Sequence, residues 1–312
     1  MKLLYDYWTK ARGIGGSRLQ PEDFVVREIL DPRLLRREDA KYTLFLVKKR
    51  NMTTHQAVKA LQQLGWCDIG YAGLKDKFAV TWQYMSALAE PKDYKTKELE
   101  AVPVGRSRKL LPGDLICNAF VVTLHGCRDL RNLPVVVDEL VQRGLPNYFG
   151  LQRFGRYGKN IEIGRHLVKK NFTRALDIIN RQSGLRPVRT VPKEQLRFFV
   201  NAYQSWIFNE ALNAYTKVHR KPYFGEMPLV GYKTNLGTGV MDNLLKEVCR
   251  KQSIKPADFR INELMMTCLG DRRRAFIRLS EIEYSLGSNV KLAFTLPKGS
   301  YATVLLREMC KN

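Results

Sequence analysis

A long block of helical patterning, set between two regions that contain strands, constrains the fold of this 312-residue chain more than any other feature. From about residue 161 to residue 251, apolar residues recur at the spacing of an α-helix. One such stripe consists of Leu196, Phe199, Val200, Tyr203, Ile207 and Ala211. The simplest architecture with this order is an α+β core that a helical segment interrupts once, and the chain is long enough for two domains.

The first third of the chain alternates strands with a helix. Residues 24–29 and 42–47 are rich in β-branched and aromatic residues, which predicts two strands. Residues 54–64 carry apolar residues at helical spacing and predict a helix that stops at Gly65. The segment 70–83 follows, and its two glycines predict a loop between extended segments. The charged residues of this loop are expected to lie on a rigid support.

The remaining elements outside the helical block are shorter. Residues 120–124 predict a strand, which leads to a helix that ends at Gly144. A loop rich in glycine and aromatic residues follows at 146–155. Near the end of the chain, residues 290–296 predict another strand and residues 302–309 a last helix.

Four segments join a turn to aromatic and charged side chains: 18–28, 70–83, 146–155 and 296–308. The second contains Tyr71-Ala-Gly-Leu-Lys-Asp-Lys-Phe-Ala-Val-Thr-Trp-Gln, which closely resembles the signature of the TruD family of RNA pseudouridine synthases. The other three match the same family in the same order. Weaker likeness at Asn118-Ala-Phe and Asp271-Arg-Arg-Arg-Ala extends the resemblance over nearly the whole chain.

The resemblance implies a definite architecture. Residues 1–171 and 278–312 would form a pseudouridine-synthase core, with a mixed, largely antiparallel sheet and flanking helices. Residues 172–277 would form the mainly helical insert domain that is specific to TruD proteins. This insert agrees with the helical block found from periodicity alone. Its short length and the opening Gly13-Ile-Gly-Gly-Ser-Arg resemble the archaeal branch of the family.

The resemblance also implies an activity, the isomerisation of uridine to pseudouridine in RNA. Family members commonly modify a D-stem uridine of tRNA, at position 13. Asp76 matches the catalytic aspartate of the family and would act as the nucleophile. Arg18 matches the basic residue that pairs with this aspartate, where many relatives carry lysine. Arginine is a sensible replacement, but it changes the geometry of the pair.

The chemistry itself explains why a carboxylate is needed. Breaking the bond between uracil N1 and ribose C1′ develops positive charge on the sugar, and a carboxylate can stabilise this charge or trap it covalently. The uracil then turns and rejoins through C5. Because the detached base stays in the pocket, proximity supplies most of the remaining catalysis, and no cofactor is expected.

The target base must leave its stack, so an aromatic surface is expected around it. Phe24, Phe149 and Tyr301 match family positions beside the nucleoside, and Asn147 matches one that can hydrogen-bond uracil. Each has a simpler alternative. Taken alone, Phe24 would be a core residue, Asn147 and Tyr301 turn residues, and Asp76 a solvated surface charge. The joint pattern favours the functional interpretation.

Charge points to the same class of partner. The chain has 53 lysines and arginines against 30 acidic residues, a net charge of +23 that is spread along the sequence. Such an excess attracts polyanions, so RNA, and tRNA above all, is the expected partner. A basic protein whose charge serves only solubility is one alternative. A noncatalytic RNA-binding protein on the same scaffold is another, and it should lack a usable carboxylate.

Cysteine and histidine spacing argues against a metal site. Cys117, His125 and Cys127 are the nearest approach to a ligand set, but strand alternation separates Cys117 from the other two. No metal is therefore expected, and scattered cysteines are typical of reduced, cytoplasmic proteins. No apolar run is long enough for a membrane span. A phosphate-binding loop is not expected either, because its pattern fits neither Gly13-Ile-Gly-Gly-Ser nor Gly155-Arg-Tyr-Gly-Lys-Asn. The expected protein is a cytoplasmic monomer.

Overall fold

The computed structural model describes residues 5–34, 40–183 and 190–311. The chain forms two compact units. The first, here called the helical unit, spans Met1–Lys10, Gln142–Arg278 and Thr303–Glu308. The second, here called the sheet unit, spans Ala11–Val141, Leu279–Ala302 and Met309–Asn312.

The strands of the described residues are, in chain order, β1 (Gly15–Ser17), β2 (Phe24–Leu30), β3 (Tyr42–Arg50), β4 (Cys67–Tyr71), β5 (Val80–Leu88), β6 (Tyr94–Lys95), β7 (Leu99–Ser107), β8 (Leu115–Cys127), β9 (Leu145–Pro146), β10 (Glu226–Leu229), β11 (Arg260–Ile261), β12 (Met266–Thr267), β13 (Asp271–Arg274), β14 (Phe276–Ile277), β15 (Ile282–Leu286) and β16 (Val290–Pro297). The α-helices are α1 (Thr54–Gln63), α2 (Asn132–Arg143), α3 (Lys159–Val168), α4 (Phe172–Ser183), α5 (Lys193–Val218), α6 (Val240–Gln252) and α7 (Ala302–Cys310).

The sheet unit is organised around one mixed sheet, with ten strands among the described residues. Its order is β15-β16-β8-β2-β5-β3-β7-β6, with β1 beside β8 and β4 beside β5. Neighbouring strands are antiparallel except β2 and β5, which run parallel. The predicted mixed, largely antiparallel sheet is therefore confirmed.

One face of the sheet is packed by α1. Phe45 and Val47 of β3 and Met85 of β5 are fully buried, and they share a cluster with Ala57 and Leu61 of α1. The helix begins as predicted, because the side chain of the cap residue before it accepts a hydrogen bond from a backbone N–H of its first turn. The stop at residue 65 is also confirmed, since this glycine has a φ of +86°.

The helical unit is built around α5, a helix of 26 residues. Every residue of the predicted stripe from Leu196 to Ala211 is buried in its core. Helix α3 approaches α5 closely at Gly164, where an added Cβ would lie 2.1 Å from the carbonyl oxygen of Phe199. A side chain at residue 164 would therefore push the two helices apart.

The predicted insert, 172–277, lies wholly within the helical unit, which also includes segments on either side of it. Residues 184–189 of that range lie outside the described residues. The range is mainly helical, but it also contains two antiparallel pairs that were not predicted, β10 with β13 and β11 with β12. Its boundaries as an insert domain stay a prediction. Within the part of the chain that the structure describes, no helix is both long and apolar enough to cross a bilayer.

Candidate active site

Asp76 lies on the loop that joins β4 to β5, and its side chain is exposed. This segment, residues 72–79, is called the Asp76 loop. The neighbouring side chains of Leu74 and Phe78 are 62% and 47% exposed. These two apolar side chains lie two residues before and two residues after Asp76, and they offer an exposed surface that a base could contact.

The backbone of the Asp76 loop is fixed by hydrogen bonds from its support. Lys49 of β3 donates to the carbonyl oxygens of Met52 and Asp76, at 2.5 and 3.1 Å. The Thr54 hydroxyl accepts the backbone N–H of Lys75 at 3.0 Å. The same hydroxyl donates to the side-chain oxygen of Gln83 at 3.1 Å. The loop therefore presents an exposed carboxylate from a constrained main chain.

A buried ion pair joins the Asp76 loop to β2. The ammonium of Lys75 bonds to Glu28, and these side chains are 5% and 0% exposed. The other carboxylate oxygen of Glu28 accepts the backbone N–H of Tyr84 at 3.1 Å. Both oxygens of this carboxylate are thus used, as a buried charge requires.

Lys49 carries a buried charge beside the same loop. Lys49 as a whole is 0% exposed to solvent. Burial lowers the pKa of Lys49 from its ordinary value of 10.5 to about 8, although the charge of Asp76 acts to raise this pKa. The ammonium of Lys75 acts with burial, in the lowering direction.

Arg18 reaches the neighbourhood of Asp76. Burial lowers the pKa of its guanidinium, while the charges of Asp76 and Asp23 act to raise it. The interaction with Asp76 is electrostatic at a distance, because the described residues contain no direct Arg18–Asp76 ion pair or hydrogen bond. The guanidinium carbon lies 4.3 Å from the centroid of the Phe24 ring. The predicted pair is therefore brought together, but not into contact.

Asp23 fixes the turn that carries Arg18. One of its oxygens accepts the backbone N–H groups of Leu19 and Gln20, at 2.8 and 3.0 Å. The other lies 2.9 Å from His125 Nε2. Burial acts to raise the pKa of Asp23, but the bonds from His125, Leu19 and Gln20 outweigh it and lower this pKa. His125 thus bonds to a carboxylate, rather than joining the cysteines that flank it.

Phe24 is 1% exposed. One side of its ring faces the guanidinium of Arg18, and the ring of Phe120 lies 5.7 Å away. This geometry gives the ring a supporting position under Arg18. Its predicted contact with the nucleoside stays a prediction. Tyr301, also in the sheet unit, is half-buried at the turn before α7.

Asn147 and Phe149 lie in the helical unit, where Arg273 binds both. The guanidinium of Arg273 donates to the Asn147 carbonyl oxygen at 3.0 Å and to its side-chain oxygen at 2.7 Å. Its central carbon stacks 4.1 Å from the centroid of Phe149. One residue therefore orients both the predicted amide and the predicted aromatic ring.

Three further contacts fix this segment, residues 147–150, which is called the Asn147 turn. The Asn147 amide nitrogen donates to the backbone oxygen of Arg274 at 3.0 Å. Asn209 of α5 accepts the Phe149 N–H at 2.9 Å and donates to the Phe149 carbonyl at 3.0 Å. The ring of Phe208 meets that of Phe149 edge to face, with centroids 5.6 Å apart. The turn is held through side chains as well as backbone.

Sequence reasoning did not single out Lys49, Glu28 or Arg273. Strand parity could have found the first two. Lys49 shares a face of β3 with Phe45 and Val47, and Glu28 shares a face of β2 with Phe24 and Val26, so both charges fall on the apolar face. No comparable signal separates Arg273 from the arginines beside it.

Comparisons with known proteins identify the family of the chain. A family model described as "tRNA pseudouridine synthase D (TruD)" matches residues 4–184 and 213–309. A protein of Anaeromyxobacter sp. named "tRNA pseudouridine synthase D" is 32% identical, over 96% of this chain and 93% of that protein. The relatives include archaeal proteins, as the resemblance predicted. One from Thermococcus onnurineus, named "Probable tRNA pseudouridine synthase D", is 30% identical over 99% of this chain and 98% of its own length.

A solved structure extends the agreement to three dimensions. A crystal structure of a TruD protein from Methanosarcina mazei matches with a TM-score of 0.74 at 25% identity. The match covers 98% of this chain and 96% of that chain. On the matched length, the shared fold and the ordered motifs, the chain belongs to the TruD family of tRNA pseudouridine synthases.

Proposed function

We propose that this chain isomerises uridine to pseudouridine in tRNA, with Asp76 as the catalytic nucleophile. One arrangement carries the proposal: an exposed carboxylate on a loop whose backbone is fixed, with the guanidinium of Arg18 acting on it. Membership of the family supplies the reaction class. The chemistry of the carboxylate supplies the reason for the residue.

The reaction balances without any added reagent. Asp76 forms a bond to ribose C1′ as the N1–C1′ bond breaks, and the electron pair of that bond passes to the uracil. The uracil turns within the pocket, C5 forms the new bond to C1′, and the carboxylate leaves. Loss of the C5 proton restores the aromatic base, and N1 gains a proton. Since product and substrate are isomers, no oxidant or group donor is required.

The recognition roles are part of the proposal. Phe149 stacks on the uracil and Asn147 hydrogen-bonds it, each held in place by Arg273. Arg18 orients the carboxylate, supported from below by Phe24. Tyr301 lies beside the nucleoside. The predicted target is a D-stem uridine, at position 13 of the tRNA.

The cofactor requirement of the enzyme follows from its chemistry. We propose an enzyme that needs no metal or organic cofactor and works as a cytoplasmic monomer. All six cysteines of the chain are free thiols, as in proteins of reducing compartments. Activity that is lost on dialysis against a chelator and restored by a metal ion would contradict the cofactor proposal.

Exchange of a single atom tests the main proposal. A tRNA transcript with tritium at uracil C5 releases the label to water when pseudouridine forms. We expect Asp76→Asn to lower this release at least about 1,000-fold, with tRNA affinity retained. Asp93→Asn is the matched control, because it makes the same change at an exposed carboxylate elsewhere in the sheet unit.

Two results would overturn the proposal. An Asp76→Asn variant that releases tritium at the parental rate would remove the nucleophile. A parent protein that binds tRNA tightly and releases no tritium would support the noncatalytic RNA-binding alternative instead. Replacing the D-stem uridine of the transcript by cytidine tests the target position. If that uridine is the target, the release of tritium from the transcript must then disappear.

A further inference from the structure

Lys49 is a buried cation that forms no ion pair with any of the described residues. Its neighbour Lys48 lies on the opposite face of β3, where it is partly exposed and pairs with Glu100 at 3.7 Å. Lys49 is 0% exposed, and among the described residues no carboxylate lies within ion-pair distance of its ammonium. Burying such a charge costs free energy of folding. Its presence therefore indicates that the protein uses it.

The ammonium contacts the main chain at two places, in the Asp76 loop and in the segment between β3 and α1. Its two acceptors are the carbonyl oxygens of Met52 and Asp76 itself. The charged groups that act on it are Asp76 and Lys75, both on that loop. The nearby carboxylate of Glu28 is already bonded to Lys75 and to the Tyr84 N–H. One of the two hydrogen bonds of Lys49 is therefore made to the residue that carries the proposed nucleophile.

We propose that Lys49 is a positioning residue, which holds the Asp76 carbonyl and places a positive charge behind the nucleophile so that the carboxylate is presented at a fixed point. This inference rests on the proposed function of Asp76. The hydrogen bond sets where the loop backbone lies, and the charge attracts the carboxylate towards one orientation. Small displacements of a reacting group are enough to matter, since a shift of about 1 Å can lower a rate about 100-fold.

The buried ammonium also predicts a pH dependence. Because burial lowers the pKa of Lys49 to about 8, its charge is present below that pH and lost as pH rises through it. Asp76 and Lys75 are the charged groups that act on it, and Lys75 is itself paired with Glu28. A neutral amine still donates hydrogen bonds, but it no longer attracts the carboxylate. We expect kcat of the parent enzyme to fall as pH rises above about 8.

The test replaces Lys49 by methionine, which has a similar unbranched length and neither charge nor donors. We expect kcat to fall about 10- to 100-fold, tRNA affinity to stay within about twofold, and the fall in kcat near pH 8 to disappear. The matched control is Lys48→Met, which removes the same charge from the adjacent residue on the opposite face. We expect it to keep the parental kcat and pH profile.

A merely structural role predicts different results. It would lower the melting temperature of Lys49→Met, and activity per folded molecule would stay parental. If that variant does not fold, Lys49→Arg decides the question, because a guanidinium keeps its charge far above pH 8. The inference requires the fall near pH 8 to be absent from this variant, and an unchanged fall would overturn it.

The two proposals fail separately. Asp76→Asn with parental turnover would remove the proposed nucleophile, and with it the basis for Lys49. An inactive Asp76→Asn combined with a Lys49→Met variant of parental kcat and unchanged pH profile would overturn the role of Lys49 alone.

Discussion

The Asp76 loop and the Asn147 turn are both held by hydrogen bonds, but they differ in whether the functional side chain is held as well. The Asp76 loop is held mainly through its main chain, by Lys49 and Thr54, so that the side chain of Asp76 stays exposed. The Asn147 turn is held through its functional side chains as well as its main chain, because Arg273 bonds to the Asn147 amide and stacks on the Phe149 ring.

The difference matches the chemistry proposed for each. A nucleophile must reach a carbon atom of the substrate, so its side chain has to stay accessible above a fixed backbone. A surface that receives a base gains from being formed in advance, because ordering it then costs nothing on binding. A fixed main chain can therefore serve an accessible reacting group, and fixed side chains can serve a surface that is formed in advance.

The largest effect is expected from loss of the Lys75–Glu28 pair, which anchors the Asp76 loop through a side chain. Lys75→Met leaves the Glu28 carboxylate buried without its cation, so we expect about 3–5 kcal/mol lower stability. Lys77→Met, at an exposed position of the same loop, should stay within about 0.5 kcal/mol. Urea denaturation measures both. Equal stabilities would show that the pair does not anchor the loop.

The next effect concerns the fixed surface of the Asn147 turn. Phe149→Leu removes a stacking surface worth about 1–3 kcal/mol per base, while leucine still fills much of the space. We expect impaired turnover at a nearly unchanged melting temperature, and a much milder effect from Phe149→Tyr. A large loss of melting temperature with normal activity per folded molecule would mean that Phe149 is only a core residue.

A smaller effect is expected when the clamp itself is weakened. Lysine at residue 273 keeps the charge but loses the planar group that bonds twice to Asn147 and stacks on Phe149. We expect Arg273→Lys to lower kcat/KM about 10-fold, which corresponds to about 1.4 kcal/mol. Arg272→Lys changes the adjacent exposed residue of β13, whose pair with Glu226 is worth little. Equal kinetics for the two variants would refute the clamp.

The smallest effect is expected from a change at Asp23, which holds the main chain of the Arg18 turn in the sheet unit. The pKa of Asp23 is lowered in the folded protein, so its carboxylate adds stability above the unfolded pKa of 3.8. That contribution is lost as pH falls through the folded pKa. Asp23→Asn should cost about 1 kcal/mol at pH 7 and less at pH 3. Melting curves at the two pH values test this, and a cost that grows on acidification would contradict it.

Local patterns predicted much of the fold. The sequence alone predicted α1 and α7. In each helix, the apolar spacing and the end signals are local, so they can be read from a short stretch of sequence. It did not predict the pair of β10 and β13. The four residues of β13 are Asp271 and three arginines, which carry no strand pattern and pair only with a distant segment. Pairing of that kind depends on tertiary context.

The candidate site divides along the same line. Asp76 and Arg18 could be named because their motifs resemble those of the family, and the chemistry explains the need for a carboxylate. Lys49 was hidden within Lys48-Lys49-Arg50, where composition gives three equivalent charges. Only the alternation of β3 separates the buried one from its neighbours. Buried charges on the apolar parity of a strand are therefore a useful signal for such support residues.

Anchoring a loop by its main chain has a consequence for directed evolution. The side chains of Leu74, Lys77 and Phe78 are exposed, while the bonds that set the Asp76 loop use carbonyl and N–H groups and the buried Lys75. Residues at those three positions can be randomised without removing a hydrogen bond that fixes the loop. A library built there would explore new RNA targets on an unchanged catalytic frame, which makes this segment a natural starting point for redesigning substrate choice.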